Sequence, residues 1–159
     1  MARYIGAALV TVLAAAGVIF VLPPASVSQP IAFPHAKHQA IDCTVCHRGA
    51  AAAVRAGIPE ITVCAKCHAT APAGTAAVWD GAVARKSVGW VQVTHVPEHV
   101  YFSHRRHTSL GRLECASCHG DMRDRRTPPG TPQVQLVMTT CLSCHRHEGA
   151  AEDCAACHR

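Results

Sequence analysis

All ten cysteines of this 159-residue chain fall into five pairs, and each pair is followed at once by histidine. They read Cys43-Thr-Val-Cys46-His47, Cys64-Ala-Lys-Cys67-His68, Cys115-Ala-Ser-Cys118-His119, Cys141-Leu-Ser-Cys144-His145 and Cys154-Ala-Ala-Cys157-His158. Residues i and i+3 share one face of a helical turn, so both thiols of a pair reach the two vinyl groups of one porphyrin. The histidine that follows meets the iron from the same side. CxxCH is the attachment motif of c-type haem. Five covalently bound haem c are therefore expected, with those ten cysteines as thioether positions. His47, His68, His119, His145 and His158 are the expected proximal iron ligands. Zinc ribbons also use CxxC pairs but need no histidine after every one. A thioredoxin-type CxxC occurs once, in a βαβ setting.

The rest of the composition fits a chain built around cofactors. Hydrophobic residues reach 49%, yet aromatics are 4%, so a conventional core would be thin and a small domain would need staples. The net charge of +5 describes the protein without haem. Each ferric haem with two propionates brings about −1, so five bring the oxidised protein to about neutral. Nucleic acid is therefore not an expected partner. Arg105, Arg106, Arg123, Arg125 and Arg126 are expected to balance propionates or to line a partner face.

Residues 5–22, IGAALVTVLAAAGVIFVL, carry no charge. As a helix they span about 27 Å, close to the ~30 Å bilayer core. Arg3 precedes them, which favours a cytoplasmic amino terminus, and Pro23 and Pro24 stop the helix. Residues 1–24 are read as a transmembrane anchor. The rival reading is a cleaved signal peptide ending near Ser26 and Ser28, but the apolar run exceeds the usual h-region. Either way the remainder is exported, with the haem domain on the periplasmic, extracytoplasmic side of the cytoplasmic membrane.

The expected organisation is an anchor at 1–24, a dihaem module at 25–70, a connector at 71–100 and a trihaem module at 101–159. The connector is rich in Pro, Gly and Ala and holds a short helix around Ala76–Arg85. Trp90–Val93 and Val100–Phe102 have β-type residues. About 130 exported residues for five haems leave about 26 each, so the cofactors form the core and lie nearly in contact. The expected fold is mostly irregular and α, with short helical turns after the CxxCH motifs and minimal β.

Seven histidines remain beyond the proximal five: His35, His38, His95, His99, His104, His107 and His147. Four of them form two copies of F-x-H-x-x-H, at FPHAKH and FSHRRH, each ahead of a CxxCH. His35 and His104 are expected on the distal side of their own module's first haem. Positions i and i+3 are offset along the turn, so His38 reaches haem 2 and His107 reaches haem 4. Haem 5 then lacks a partner. Met138, three residues before Cys141, is the proposed ligand, since thioether ligation is known in c-type haem; His95, His99 and His147 are the alternatives.

F-x-H-x-x-H followed by CxxCH resembles the small multihaem cytochromes of the c3/c7 type, across both modules. The resemblance implies that the first histidine ligates the nearest haem and the second a more distant one. WVQVTHVPEHVYFSHRRH, CASCHG and MTTCLSCHR, over residues 88–158, resemble the membrane-anchored pentahaem subunit of alternative complex III, a quinol:electron-acceptor oxidoreductase. Where that family commonly has a Trp before the fourth motif, this chain has Thr140. The resemblance implies a membrane quinol-oxidising complex as partner and a soluble cytochrome or oxidase as acceptor. Related proteins serve other molybdopterin-type membrane oxidoreductases.

The expected function is electron relay, with no bond chemistry catalysed by the chain itself. A multihaem reductase would need an open iron position, and spare ligands here outnumber the haems. A haem-stapled structural module would need fewer than five.

Overall fold

The computed structural model describes residues 26–158. The expected anchor at 1–24 lies outside the described residues. Among the described residues no helix is long and apolar enough to cross a membrane.

The architecture is a series of short turns strung on irregular chain. A 3-10 turn at His35–His38 is followed by α1 (Cys43–Cys46), α2 (Ile61–Cys64) and α3 (Ala76–Arg85). A π turn at Arg106–Leu110, α4 (Ala116–His119), α5 (Met138–Glu148) and α6 (Cys154–Cys157) complete it. Helical turns overlie motifs 1, 3, 4 and 5, while at motif 2 the helix ends at Cys64 and an open turn carries Cys67. The reason is local: Asp42, at the N-cap of α1, accepts from Thr44 N at 2.8 Å, fixing the turn that presents Cys43 and Cys46. α5 stops at Gly149, whose φ of 63° is the left-handed cap that glycine adopts without strain.

The expected connector helix runs Ala76–Arg85 and packs on α2. Together they carry the buried apolar core of the described residues: Ile61, Trp79, Ala82 and Val88, with Ile31, Cys64, Ala71 and Trp90 packed against it. Trp90 Nε1 donates to Pro59 O at 3.1 Å, which satisfies its polar edge. Four buried side chains are too few to offset the ordering of a chain this long, at about 1–2 kcal/mol per residue. The remaining cohesion has to come from what the cysteines and histidines bind.

The β expectation is corrected at Trp90–Val93, which forms no strand. The Gln29 side chain takes the place of a strand partner: its Nε2 donates to Val91 O at 2.8 Å, and its Oε1 accepts from Val91 N at 3.0 Å. Around Val100–Phe102 the pairing is a single antiparallel bridge, Val100 to His158.

The two modules are knit together rather than merely tethered. His104 N and Arg105 N donate to Val54 O and Ala53 O, both at 3.0 Å. Thr108 Oγ1 and Ser109 Oγ donate to Ala50 O and Ala51 O, both at 2.6 Å. From the other side, Ala36 N donates to Arg125 O at 2.9 Å, and Arg123 donates to Gln39 O. The 49–57 loop of the first module is thus the seat of the second module's π turn.

Candidate haem-binding sites

Sites are numbered by motif in chain order, so that site 1 holds His47 and site 5 holds His158. The cysteines of each motif are unpaired thiols; no disulfide joins them.

The histidines come together in pairs across the chain. The ring centroids of His38 and His68 are 6.1 Å apart, and those of His104 and His119 are 6.3 Å apart with planes at 2°. His107 and His145 stand 6.3 Å apart. His99 and His158 are stacked at 5.5 Å and 16°. For His35, burial is the main influence on its basicity and His47 the strongest neighbour. Two imidazoles bound to one metal at about 2 Å each would separate their centroids by about 6 Å. Three histidine pairs stand at that spacing, and His99 with His158 stand about half an ångström inside it.

Ring orientation supports the same fit. Nδ1 of His38 bonds Pro34 O at 3.0 Å, that of His47 bonds Gly57 O at 2.9 Å, and that of His104 bonds Val54 O at 3.0 Å. Nδ1 of His107 bonds Ser103 O at 2.8 Å, and that of His145 bonds Ala151 O at 2.6 Å. A carbonyl only accepts, so in each ring Nδ1 carries the proton and Nε2 keeps its lone pair for a metal. The backbone carbonyls are the outer partners that fix tautomer and ring angle. Burial pushes the pKa of His35 and His119 down, which favours the neutral imidazole that binds iron. His35 Nδ1 is buried without a hydrogen-bond partner.

The sequence repeat is a structural repeat. Phe33 meets His35 edge-on at 4.9 Å and 88° and stacks on His38 at 4.6 Å and 23°. Phe102 meets His104 at 4.9 Å and 88° and stacks on His107 at 4.7 Å and 23°. In both copies the second histidine's Nδ1 bonds the carbonyl four residues before it. The phenylalanine is a wedge that sets the angle between the two rings. It was the F of F-x-H-x-x-H, visible in the sequence but unassigned there.

Met138 is the first residue of α5 and 59% exposed. His95 uses Nε2 to bond Gln92 O at 2.9 Å. His147 pairs with Glu148 at 2.8 Å, its side chain 85% exposed. Of the five arginines singled out, Arg123 and Arg125 are engaged within the chain, Arg125 Nη1 with Gln133 Oε1 at 3.0 Å.

Thiols from different motifs adjoin one another. Burial pushes the thiols of Cys46, Cys64, Cys115, Cys118 and Cys141 up, and in each case a cysteine of another motif pushes further. The neighbours are Cys67 for Cys46 and Cys46 for Cys64, joining motifs 1 and 2. Cys43 is the neighbour of Cys115, relating motifs 1 and 3. Cys144 adjoins Cys118, and Cys157 adjoins Cys141.

The 49–57 loop yields a sharp expectation. It holds the Nδ1 protons of His47 and His104, in sites 1 and 3. A Cβ on Gly49 would lie 2.0 Å from Arg55 O and 2.9 Å from Ala56 O, so the loop must move. Gly49→Ala is expected to shift two haem potentials together and leave the other three unchanged, as read by spectroelectrochemical titration.

This combination of thiol pairs and facing imidazoles is similar to that of multihaem c-type cytochromes, a class whose haem is covalently bound and whose work is electron transfer. The family comparisons agree: residues 20–89 match the class III cytochrome c family, and residues 100–159 match cytochrome c7 and related cytochrome c. A curated relative from Nitratidesulfovibrio vulgaris is 27% identical over 161 residues, covering 82% of this chain and 77% of the relative. That protein is the multihaem cytochrome c subunit of a menaquinone reductase.

Proposed function

We propose that this chain is a pentahaem relay, anchored by residues 1–24 and working outside the cytoplasm as a subunit of a quinone-linked membrane oxidoreductase. The observation that carries the reading is the facing of spare and proximal histidines across the chain: His38 with His68 at 6.1 Å, and His104 with His119 and His107 with His145 at 6.3 Å. The thiols that push one another's pKa up, Cys46 on Cys64, Cys43 on Cys115, Cys144 on Cys118 and Cys157 on Cys141, support a spatial order of sites 2, 1, 3, 4, 5. When bound, haem supplies reversible one-electron chemistry at each site.

The chain's own contribution is to hold, space and order. His35 with His47, His38 with His68, His104 with His119 and His107 with His145 would hold the irons of sites 1 to 4. No position is then left for a substrate, which supports electron transfer over a reductase chemistry. The bonds from residues 104–109 to the carbonyls of residues 50–54 make the join between modules, and the 49–57 loop keeps both of its sides in register.

Site 2 is the sheltered end, since His68 lies against Trp79 at 6.4 Å beside the apolar core. Site 5 is the opposite end of that order, with no buried hydrophobic residue beside it among the described residues. Of the first described residues, Val27 N donates to Gly130 O at 2.8 Å, while Gln29 grips Val91 and Ile31 joins the core beside site 2. In this reading a soluble cytochrome or oxidase takes electrons at one end of the relay and the membrane complex meets the other.

Two directions of flow are compatible with such a wire. The likeness to the pentahaem subunit of alternative complex III points to quinol oxidation. The name of the N. vulgaris relative favours delivery of electrons to menaquinone. The test is to purify the protein from its native membrane and identify its companions. The oxidised complex is then mixed with a menaquinol analogue, and the reduced complex with a menaquinone analogue. A co-purifying integral membrane subunit and a haem spectrum that answers one of the two additions are expected. A lone protein that answers neither would overturn the reading.

A further inference from the structure

We propose that His99 is the sixth ligand of the fifth haem, and that it clasps the end of the connector to the end of the chain. The proposal rests on the pentahaem reading and completes it at the one site for which the F-x-H-x-x-H pattern supplies nothing.

Three observations converge on His99. Its ring stacks on that of His158 at 5.5 Å and 16°, the near-parallel relation also seen at site 3. Backbone holds the two in place: Val100 and His158 form the antiparallel bridge, and Tyr101 N donates to Cys157 O at 2.7 Å. The turn that presents His99 is closed by Val100 N donating to Pro97 O at 3.0 Å. Residues 99–101 thus lie alongside 157–158 independently of any ligand.

The competing donors are disposed of by geometry. His95 donates from Nε2 to Gln92 O, which leaves it only Nδ1, unlike the paired histidines whose Nε2 stays free. His147 stands out in solvent beside Glu148. Met138 begins α5, the helix that carries motif 4, and its side chain is exposed. The other four spare histidines already face His47, His68, His119 and His145.

A bis-histidine fifth site has a consequence for function. Methionine opposite histidine raises a haem's potential, so with His99 in place the site 5 end carries no such high-potential terminus. All five sites then share one ligand set, and only burial and neighbouring charge differentiate their potentials.

The test uses the full holoprotein and three variants. In His99→Ala, mass spectrometry should still find five haems, while electron paramagnetic resonance should show one haem of five turned high-spin. In His99→Met, that haem should return to low-spin with a raised potential, while the other four stay unchanged. Met138→Leu should alter no haem. If His99→Ala and His99→Met leave every haem low-spin at its original potential, the proposal is overturned. A methionine-to-iron charge-transfer band in the unaltered protein that vanishes in Met138→Leu would overturn it equally. Fewer than five haems on the unaltered protein would instead strike the pentahaem reading.

Discussion

Deprived of covalent haem, the chain is expected to have no stable fold. The apolar core of the described residues is Ile61, Trp79, Ala82 and Val88, all beside site 2. Sites 3 to 5 have no buried hydrophobic residue of their own among the described residues. Removing one large buried side chain from an ordinary core costs about 2–5 kcal/mol. Removing five porphyrins removes most of the apolar surface around which residues 101–158 could order. Net stabilities of small domains are only about 5–15 kcal/mol, so the loss is total rather than partial. Protein made without haem attachment should lack cooperative thermal unfolding by circular dichroism and should be digested rapidly by protease. A cooperative transition in that material would mean that the turns and loops hold by themselves.

The second large effect is expected from His38→Ala. His38 sits nine residues before the haem bound at His47, yet its ring faces His68 at 6.1 Å, and its Nδ1 is pinned to Pro34 O. The variant should leave the haem at site 1 low-spin and turn the haem at site 2 high-spin, about one fifth of the total absorbance change. Phe33 would lose its stacking partner at the same time, so His38→Met serves as the matching variant that keeps a ligand and raises one potential. Loss of the sixth ligand at site 1 instead would mean that the two histidines of the pair are crossed.

The motifs that bind were plain in the sequence because they are made of side chains at fixed spacing. Five CxxCH and two F-x-H-x-x-H are local patterns, and each became a turn with its donors on one side. The connector helix was equally legible, since Ala76–Arg85 is a run of helix-compatible residues between Pro/Gly breaks. What stayed hidden is the part written in backbone. No side-chain pattern announces that Val54 O and Gly57 O will orient His104 and His47, because any residue offers a carbonyl. The order of sites 2, 1, 3, 4, 5 depends on Thr108 and Ser109 docking onto the carbonyls of Ala50 and Ala51, a contact spanning 58 residues. β propensity misled at Trp90–Val93 because Gln29, a distant side chain, saturates Val91. His99 was a solitary histidine without a repeat to mark it; the bridge from Val100 to His158 is what sets it apart from His95 and His147.

The central claim is that this chain holds five haems on its five CxxCH motifs, and haem stoichiometry tests it most directly. Intact-mass spectrometry of the mature protein, made in cells competent for haem attachment, should find one species with five haems and no thiol open to alkylation. A mass corresponding to four haems or fewer, with free cysteines in the unfilled motif, would contradict it.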